Sequence, residues 1–536
     1  NKLQFSKAFN PNNRLNALLG MELRSSTAKG TANTVWGYVP DRGERIVAPT
    51  IPSEVITPNN PPTGWGILGD IYSRGWQRTD NTNNFLSFFA TFAYSFKNRY
   101  VVNANVRNDA SNVFGQDINH RIDPTYSFGL SWRASEEAFF QKHLKWITTL
   151  NFRGTFGIQG NALTRESPEL ILSQQGVQPG YNRYFSTIGQ IPNPYLSWER
   201  TRNWNFGVDL ELFRMFYMNL EYYTRRSNAV ITVDLPFEYG IDDMKRNGGI
   251  IYNRGIEYTL SFTPIQKRDF SLNINLNASK NWNKGGETKI DRNTAMYLRG
   301  GSTQILKEGY PLSAFWSYSF AGLDGSNGKP MFNYVEVPDE EKSKSIDPTT
   351  YLVYSGETEP YFTGGLGFSF RYKSLSLNTS FSLLLGSKKR LPSPYSDFQG
   401  SGSMMPDPTK NVNRDLLNRW QKPGDEVYTN IPGLPTWPIE IGWTLPNTDS
   451  AESAIEMWEK SDAMVVSGSF LRCRNIGLSW QMKKEWCDKI HAKNLAINFN
   501  MDNIFVIASK RFNGFDPELE NSIMPRSFSL GLNIGF

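Results

Sequence analysis

Residues 526–536 read R-S-F-S-L-G-L-N-I-G-F, and this stretch decides the class of fold. Phe528, Leu530, Leu532, Ile534 and Phe536 fall on one face of an extended chain, and Ser527, Ser529, Gly531, Asn533 and Gly535 on the other. Side chains of a strand alternate between its two faces, so the pattern specifies one apolar and one small polar face. Two settings accept such a strand. In a soluble sandwich the apolar face meets a second sheet. In an outer-membrane barrel it meets lipid, with the polar face toward the lumen.

The same texture recurs upstream. Leu495, Ile497, Phe499 and Met501 alternate with Asn494, Ala496, Asn498 and Asn500. Tyr126, Phe128, Leu130 and Trp132 alternate with Thr125, Ser127, Gly129 and Ser131, and Trp204, Phe206, Val208 and Leu210 with Asn205, Gly207, Asp209 and Glu211. The polar positions hold Asn, Ser, Gly and Thr, with single charges such as Arg99, Arg107 and Arg153. The outer face of a sandwich is richer in Lys and Glu, so this face reads as wet and enclosed.

Alternation predicts about sixteen strands, at 14–25, 83–96, 99–110, 123–134, 146–158, 201–214, 216–228, 249–264, 268–281, 309–319, 330–336, 360–372, 374–387, 466–482, 494–506 and 526–536. The pair 309–319 and 330–336 reads equally as a hairpin inside a long loop. Very short turns join 96 to 99, 214 to 216, 264 to 268 and 372 to 374, whereas 26–82, 159–200, 337–359 and 388–465 are long. Short and long links alternate along the chain, as in outer-membrane barrels with short periplasmic turns and long extracellular loops. A Greek-key sandwich has no reason to keep that parity. Placing the last strand's end in the periplasm puts the long segments outside, and the amphipathic linkers 135–145 and 483–493 inside. The segment 388–465 is rich in proline and carries Trp420, Trp437, Trp443 and Trp458, so a folded cap is expected there rather than a flexible linker.

Composition agrees with this reading. The chain has 536 residues, 39% of them hydrophobic, and no stretch approaches the ~18 consecutive apolar residues of a transmembrane helix. The mean hydropathy of −0.48 does not exclude a barrel, because only every second strand residue faces lipid. The 35 Phe, 24 Tyr and 15 Trp fit interfacial girdles, although carbohydrate-binding β-proteins are also rich in aromatics. The net charge of +6 is spread without a basic block, which gives nucleic acid no footprint. Two cysteines, Cys473 and Cys487, cannot staple so long a chain.

Several stretches, in order, resemble the C-terminal barrel of SusC-like (RagA-like) TonB-dependent outer-membrane transporters. They are N-R-Y-V-V-N-A-N-V-R-N-D-A-S-N-V-F-G from Asn98, S-F-G-L-S-W-R-A-S-E-E-A-F-F from Ser127, F-G-I-Q-G-N from Phe156, L-S-W-E-R-T from Leu196, N-R-G-I-E-Y from Asn253, F-L-R-C-R-N-I-G-L-S-W from Phe470 and M-D-N-I-F from Met501, followed by the closing strand. The resemblance implies an all-β fold: a transmembrane antiparallel up-and-down β-barrel of about 22 strands, of which this chain supplies about sixteen. It also implies a plug domain inside the barrel, coupling to the TonB complex, a SusD-like surface lipoprotein as lid, and oligosaccharides or peptides as substrates. No plug is visible before residue 14. The chain therefore reads as the C-terminal piece of a longer protein rather than a plugless barrel, with an even number of strands lying elsewhere.

Sites for chemistry are sparse. His120, His143 and His491 fall in separate links, without the hydrogen-bond reach to a nucleophile that catalysis requires, so no enzyme activity is expected. Metal-ligand spacing is missing around Cys473 and Cys487, and no cofactor is implied. Asp324-Gly325-Ser326-Asn327-Gly328 lacks the acid at the twelfth position of a calcium loop and reads as a tight turn. Trp36, Trp65, Trp76, Tyr181 and Tyr184, in the expected extracellular loops, are the candidates for stacking on sugars or packing on peptides. Phe528, Leu530, Leu532, Ile534 and Phe536 resemble the closing strand that the barrel assembly machinery reads in outer-membrane proteins. A TonB-dependent importer is the reading followed; a passive porin of about sixteen strands and a surface interaction protein are the alternatives.

Overall fold

The computed structural model describes residues 1–33, 38–39, 45–46, 76–112, 122–161, 169–178, 183–241, 243–286, 295–300, 306–333, 347–395, 411–434, 454–519 and 522–536. Fifteen strands form one antiparallel sheet in which each pairs with its neighbours in the chain. They are β1 (Lys2–Asn10), β2 (Asn13–Asn33), β3 (Trp76–Phe96), β4 (Tyr100–Ser111), β5 (Ile122–Arg133), β6 (Ile147–Asn161), β7 (Glu199–Leu212) and β8 (Phe216–Asp234). There follow β9 (Asp243–Gln266), β10 (Phe270–Gly285), β11 (Phe362–Tyr372), β12 (Leu375–Leu385), β13 (Phe470–Gln481), β14 (Asn494–Ile507) and β15 (Ser527–Gly535). No described helix is long and apolar enough to cross a membrane.

Register turns the alternation of each strand into continuous rows. Leu272 lies opposite Phe370, Phe370 opposite Leu377, Leu377 opposite Leu478, Leu478 opposite Phe499, and Phe499 opposite Leu530. One residue along, the row is Asn273, Ser369, Asn378, Gly477, Asn500 and Ser529. The first half of the sheet does the same, with Phe5, Ala17, Phe92, Ala104, Phe128, Phe156 and Trp204 in one row. A one-residue slip would move every apolar residue to the wrong face, so the two faces fix the register. The apolar rows are uncovered, with Leu530 77% and Phe128 45% exposed. Water does not tolerate an apolar surface of this extent; hydrocarbon does.

Links alternate between the two ends of the sheet. On one side β1–β2, β3–β4, β7–β8, β9–β10 and β11–β12 are joined by tight turns, and β5–β6 and β13–β14 by short linkers with the helices Ala138–His143 and Lys484–Lys489. Lys97 and Asn98, and Phe213 and Arg214, all have positive φ, the geometry of two-residue hairpin turns whose twist matches the strands. Aromatic pairs gather at this end: Trp132 on Phe152, Trp146 on Phe213 and Trp480 on Trp486, each with centroids within 6 Å. They match the girdle at the rim of an apolar band. The remaining links, among them the longest, 286–361 and 386–469, leave the opposite end.

Fourteen of the predicted strands lie in this sheet, and three expectations are corrected. Lys2–Asn10 is a strand that alternation missed, because Lys7 interrupts the apolar face of Leu3, Phe5 and Phe9; its ammonium lies 5.4 Å over the Phe9 ring. The segments 309–319 and 330–336 are not sheet strands. Ala314–Tyr318 pairs with Leu352–Glu357, and Phe320–Leu323 with Pro330–Phe332, in small separate sheets. Ala314–Tyr318 is buried on both sides, which removes the alternation that marks a wall strand. Among the described residues the sheet therefore has fifteen strands, against about sixteen expected. The link expected over 26–82 is shorter, because β2 runs to Asn33 and β3 starts at Trp76.

Leu530 sits in an apolar row and Asn533 in the polar one. A charge on the lipid face at mid-membrane costs ~2–4 kcal/mol, whereas the lumen is wet. Leu530→Arg is therefore expected to lose most of the folded, heat-modifiable protein and Asn533→Arg to retain it. Equal yields on semi-native gels would reverse the assignment of faces.

Candidate functional site

The polar face carries organised charge rather than scattered polar groups. Arg107 Nε donates to both oxygens of Asp109 at 2.7 and 2.9 Å, and its Nη2 donates to Ser87 Oγ at 2.8 Å and reaches Glu22 at 3.4 Å. Two strands on, Arg153 Nη2 donates to Glu221 at 2.9 Å and to Asp209 at 3.2 Å, and Asn219 donates to Asp209 at 2.7 Å. Alternation places all these side chains on one face. Each guanidinium ties neighbouring strands together while leaving part of its surface to water, which suits a wall that polar solutes pass.

At the end opposite the tight turns, three links fold into one cap. The link 286–361 supplies Leu298, Ala314, Trp316, Tyr318, Tyr351 and Leu352 to a buried cluster that also takes Met457 from the link 386–469. A second cluster, Tyr395, Leu416, Ile455, Trp458 and Met464, packs against Phe320 and Phe332 of the first link. Phe332 touches both clusters. Arg390 reaches across, donating to the carbonyls of Arg299 at 2.8 Å and Trp316 at 3.2 Å and to Ser317 Oγ at 3.0 Å. Burial, with Arg299 nearby, lowers the pKa of Arg390 to about 10, so it stays cationic at neutral pH. Burial likewise raises the Tyr395 phenol, which donates to the Pro432 carbonyl at 2.6 Å. The expected cap thus exists, but it is built from more than the 388–465 segment. The Asp324–Gly328 stretch is its tight turn: the Ser326 amide and hydroxyl both donate to Asp324 Oδ1, and Gly328 has a φ of +73°.

The third link, 508–526, is latched to the sheet. Arg472 on β13 is 2% exposed, and its Nη2 donates to both oxygens of Asp516 at 2.7 and 2.8 Å. Glu518 Oε2 lies 2.8 Å from the same nitrogen, and Arg474 reaches Glu518 at 3.4 Å. A β-bulge between Cys473 and Asn475 re-aims this part of the strand, so that Arg474 donates to Ser382 Oγ on the polar face. The same link holds the cap: Arg511 donates to the Val465 carbonyl at 2.9 Å and Asn513 to Asp415 at 2.7 Å. Between them lies an open cleft of about 560 Å³, lined among others by Arg414, Tyr428, Asn430, Trp458, Lys510 and Phe512.

Comparison with known proteins decides what such a sheet is. A model of the TonB-dependent receptor-like β-barrel family matches residues 4–386. The chain belongs to this family. It is 23% identical to TonB-dependent receptor P3 of Formosa agariphila over 502 residues, covering 85% of this chain and 46% of that protein. It is 25% identical to the TonB-dependent receptor SusC of Bacteroides thetaiotaomicron over 486 residues, covering 85% of this chain and 44% of SusC. The RagAB peptide transporter structure superposes with a TM-score of 0.72 at 20% identity, covering 100% of this chain and 55% of that one. The chain spans about half the length of the curated relatives it matches. The resemblance to a SusC-like barrel read from the motifs holds.

On this barrel, Trp36, Trp65 and Tyr181 lie outside the described residues. Trp76 is not in a loop: it opens β3, opposite Asn33. Tyr184 belongs to a small strand, Arg183–Gln190, opposite Val177 of Ile171–Gln178. Trp437 and Trp443 also lie outside the described residues, whereas Trp458 is buried in the cap and Trp420 donates to Glu426 at 3.1 Å. His143 and His491 sit in the two short-end linkers, and His120 lies outside the described residues. Cys473 is buried in β13 and Cys487 in the helix Lys484–Lys489. Phe528, Leu530, Leu532 and Ile534 keep one face of β15, and Phe536 follows it, 78% exposed. Sequence reading missed the latch. Its trace was the matched spacing of Arg472-Cys473-Arg474 and Asp516-Pro517-Glu518, whose partners only the fold brings together.

Burial alone would raise the Asp516 carboxyl, but hydrogen bonds from Arg472 and the backbone, with the charge of Arg472, hold it below its ordinary value. A depressed carboxylate contributes stability above its unfolded pKa of about 3.9 and loses it as pH falls through the folded value. The 508–526 link is therefore expected to stay closed from pH 8 to 5 and to open only below about pH 4. Arg472→Ala leaves Asp516 buried and unpaired, at a cost of roughly 3–5 kcal/mol. Hydrogen exchange in 508–526 should rise to match. Unchanged protection in that variant would show that the ion pair does not hold the link.

Proposed function

We propose that this chain forms the wall and outer cap of an energy-coupled outer-membrane importer. A plug supplied by sequence outside this chain would couple it to TonB, and a SusD-like surface lipoprotein would seat on the cap. The observation that carries the reading is the family's sheet roofed at one end by three co-folded links. A bare diffusion pore has no need of so large a packed roof, and a gated importer needs a rigid rim for a lid to meet. The long links face outward and the tight turns face the periplasm in this reading. Oligosaccharides or peptides are the substrate class, supported by the hydrogen-bonding lumen and by a cap cleft that combines aromatic rings with Arg414, Asn430 and Lys510. The relatives add weight: one is SusC, and one solved structure is of a peptide transporter. No catalytic step belongs to this reading. Phe528, Leu530, Leu532, Ile534 and Phe536 serve as the assembly signal in it.

Two measurements test it. Uptake of oligosaccharide or peptide mixtures by cells bearing the full-length protein should stop when the proton-motive force is collapsed. A passive porin would go on conducting, and undiminished uptake would favour that alternative. Orientation is tested with protease on intact cells, which should cut within 388–465 and spare 97–98 and 213–214. Cutting restricted to the tight turns would place the cap in the periplasm.

A further inference from the structure

The apolar side of β7–β10 changes character over a few residues. Starting from the tight turns, its outward positions run Leu212 to Trp204 on β7 and Phe216 to Thr224 on β8 without a charge. Immediately beyond, Arg202 lies opposite Arg226, Arg226 opposite Tyr252, and Tyr252 opposite Lys284. Beside them Arg254 lies opposite Trp282, and Lys280 opposite Ile256. The aromatic rings bind this group together: Arg226 sits 6.0 Å from the Tyr252 ring, and Arg254 and Lys280 sit 5.6 and 5.0 Å from the Trp282 ring.

Five cations share this patch, and among the described residues none of them has a carboxylate in ion-pair range. Along the same stretch of these strands the acids Asp209, Glu211, Glu221 and Glu257 alternate to the other face, and Asp234 and Asp243 stand eight or more residues further along. Arg202 directly opposite Arg226 is unfavourable in an antiparallel pair unless an anion sits between the two. The height identifies that anion. Arg226 lies about ten residues beyond Phe216, or roughly 33 Å along the strand, which at the usual tilt is about 25 Å of height. That equals the thickness of a barrel's apolar band, so the cations stand at its outer rim, beside the aromatic girdle.

We propose that this patch is a binding site for the phosphorylated headgroup of an outer-leaflet lipid. The guanidinium groups of Arg202, Arg226 and Arg254 offer paired N–H donors to phosphate oxygens, Lys280 and Lys284 add point charge, and Tyr252 and Trp282 pack on the adjoining sugar or acyl carbons. The site goes beyond transport and rests on the outward orientation of the long links. It would anchor one side of the barrel to the lipid and fix its rotation and height in the leaflet.

The test uses the full-length protein reconstituted in neutral phosphatidylcholine bilayers, with lipid A, its dephosphorylated form and inorganic phosphate as probes. Wild type should retain lipid A at least tenfold better than the dephosphorylated lipid, less so at high salt. Each neutralised cation should lower retention about fivefold, so R226Q/R254Q/K280Q should lower it about a hundredfold while heat-modifiability stays unchanged. Equal retention by the triple variant, or full competition by millimolar inorganic phosphate, would overturn the lipid site and leave the barrel intact. Failure of wild type to insert into the neutral bilayer would instead overturn the membrane reading, and the site with it. Should the cap prove periplasmic by protease, the site would be refuted as an outer-leaflet one.

Discussion

Hydrocarbon offers no partner to a peptide N–H or C=O, so a chain crossing lipid with strands must pair its backbone groups with neighbouring strands. That requirement organises the rest of this molecule. It forces an antiparallel ladder, the ladder forces neighbouring strands into fixed register, and fixed register makes every side-chain choice a choice of face. The row from Leu272 to Leu530 and the row from Asn273 to Ser529 are the same six strands read one residue apart. Glycine enters where two polar side chains need one space: a Cβ at Gly255 would fall 2.6 Å from Tyr223 Oη and 2.7 Å from Asn281 Oδ1.

Charge follows the same division. On the polar face Arg107 and Arg153 sit among Glu22, Asp109, Asp209 and Glu221, so each cation there is held between carboxylates. On the lipid face charge is absent from the band of β7–β10 and purely positive at its rim. Both arrangements come from alternation acting on sequences such as R-T-R-N-W-N at 200–205, where odd and even positions meet different solvents.

Alternation is also why so much of the wall could be read in advance. A strand with one face in lipid and one in water advertises itself every second residue, and β5, β14 and β15 were placed within one or two residues. The signal fails where the two sides of a strand meet similar surroundings. Ala314–Tyr318 is buried throughout, so its sequence A-F-W-S-Y carries no face. β1 failed for the opposite reason, since a lysine stands in its apolar row. The cap and the latch were less legible because their contacts join residues far apart in the chain: Arg472 meets Asp516 across 44 positions and Arg390 meets Trp316 across 74. Composition could announce that 388–465 would fold, but not what it would fold against.

The cap's dependence on three separate links has a mechanical consequence. Each link leaves the sheet between different strands: β10 and β11, β12 and β13, β14 and β15. Packing all three into one body therefore couples six consecutive strands at the rim, in addition to their ladder bonds. Arg390, Arg511 and Arg472 do most of this tying, and each does so by donating to fixed acceptors rather than by burying more apolar area. Such ties are directional and resist sliding, whereas the two apolar clusters resist separation. A force on this roof would then pass to the wall as a rigid load rather than be absorbed by loops. Links that moved independently could not hold in one shape the 560 Å³ cleft that lies between 386–469 and 508–526.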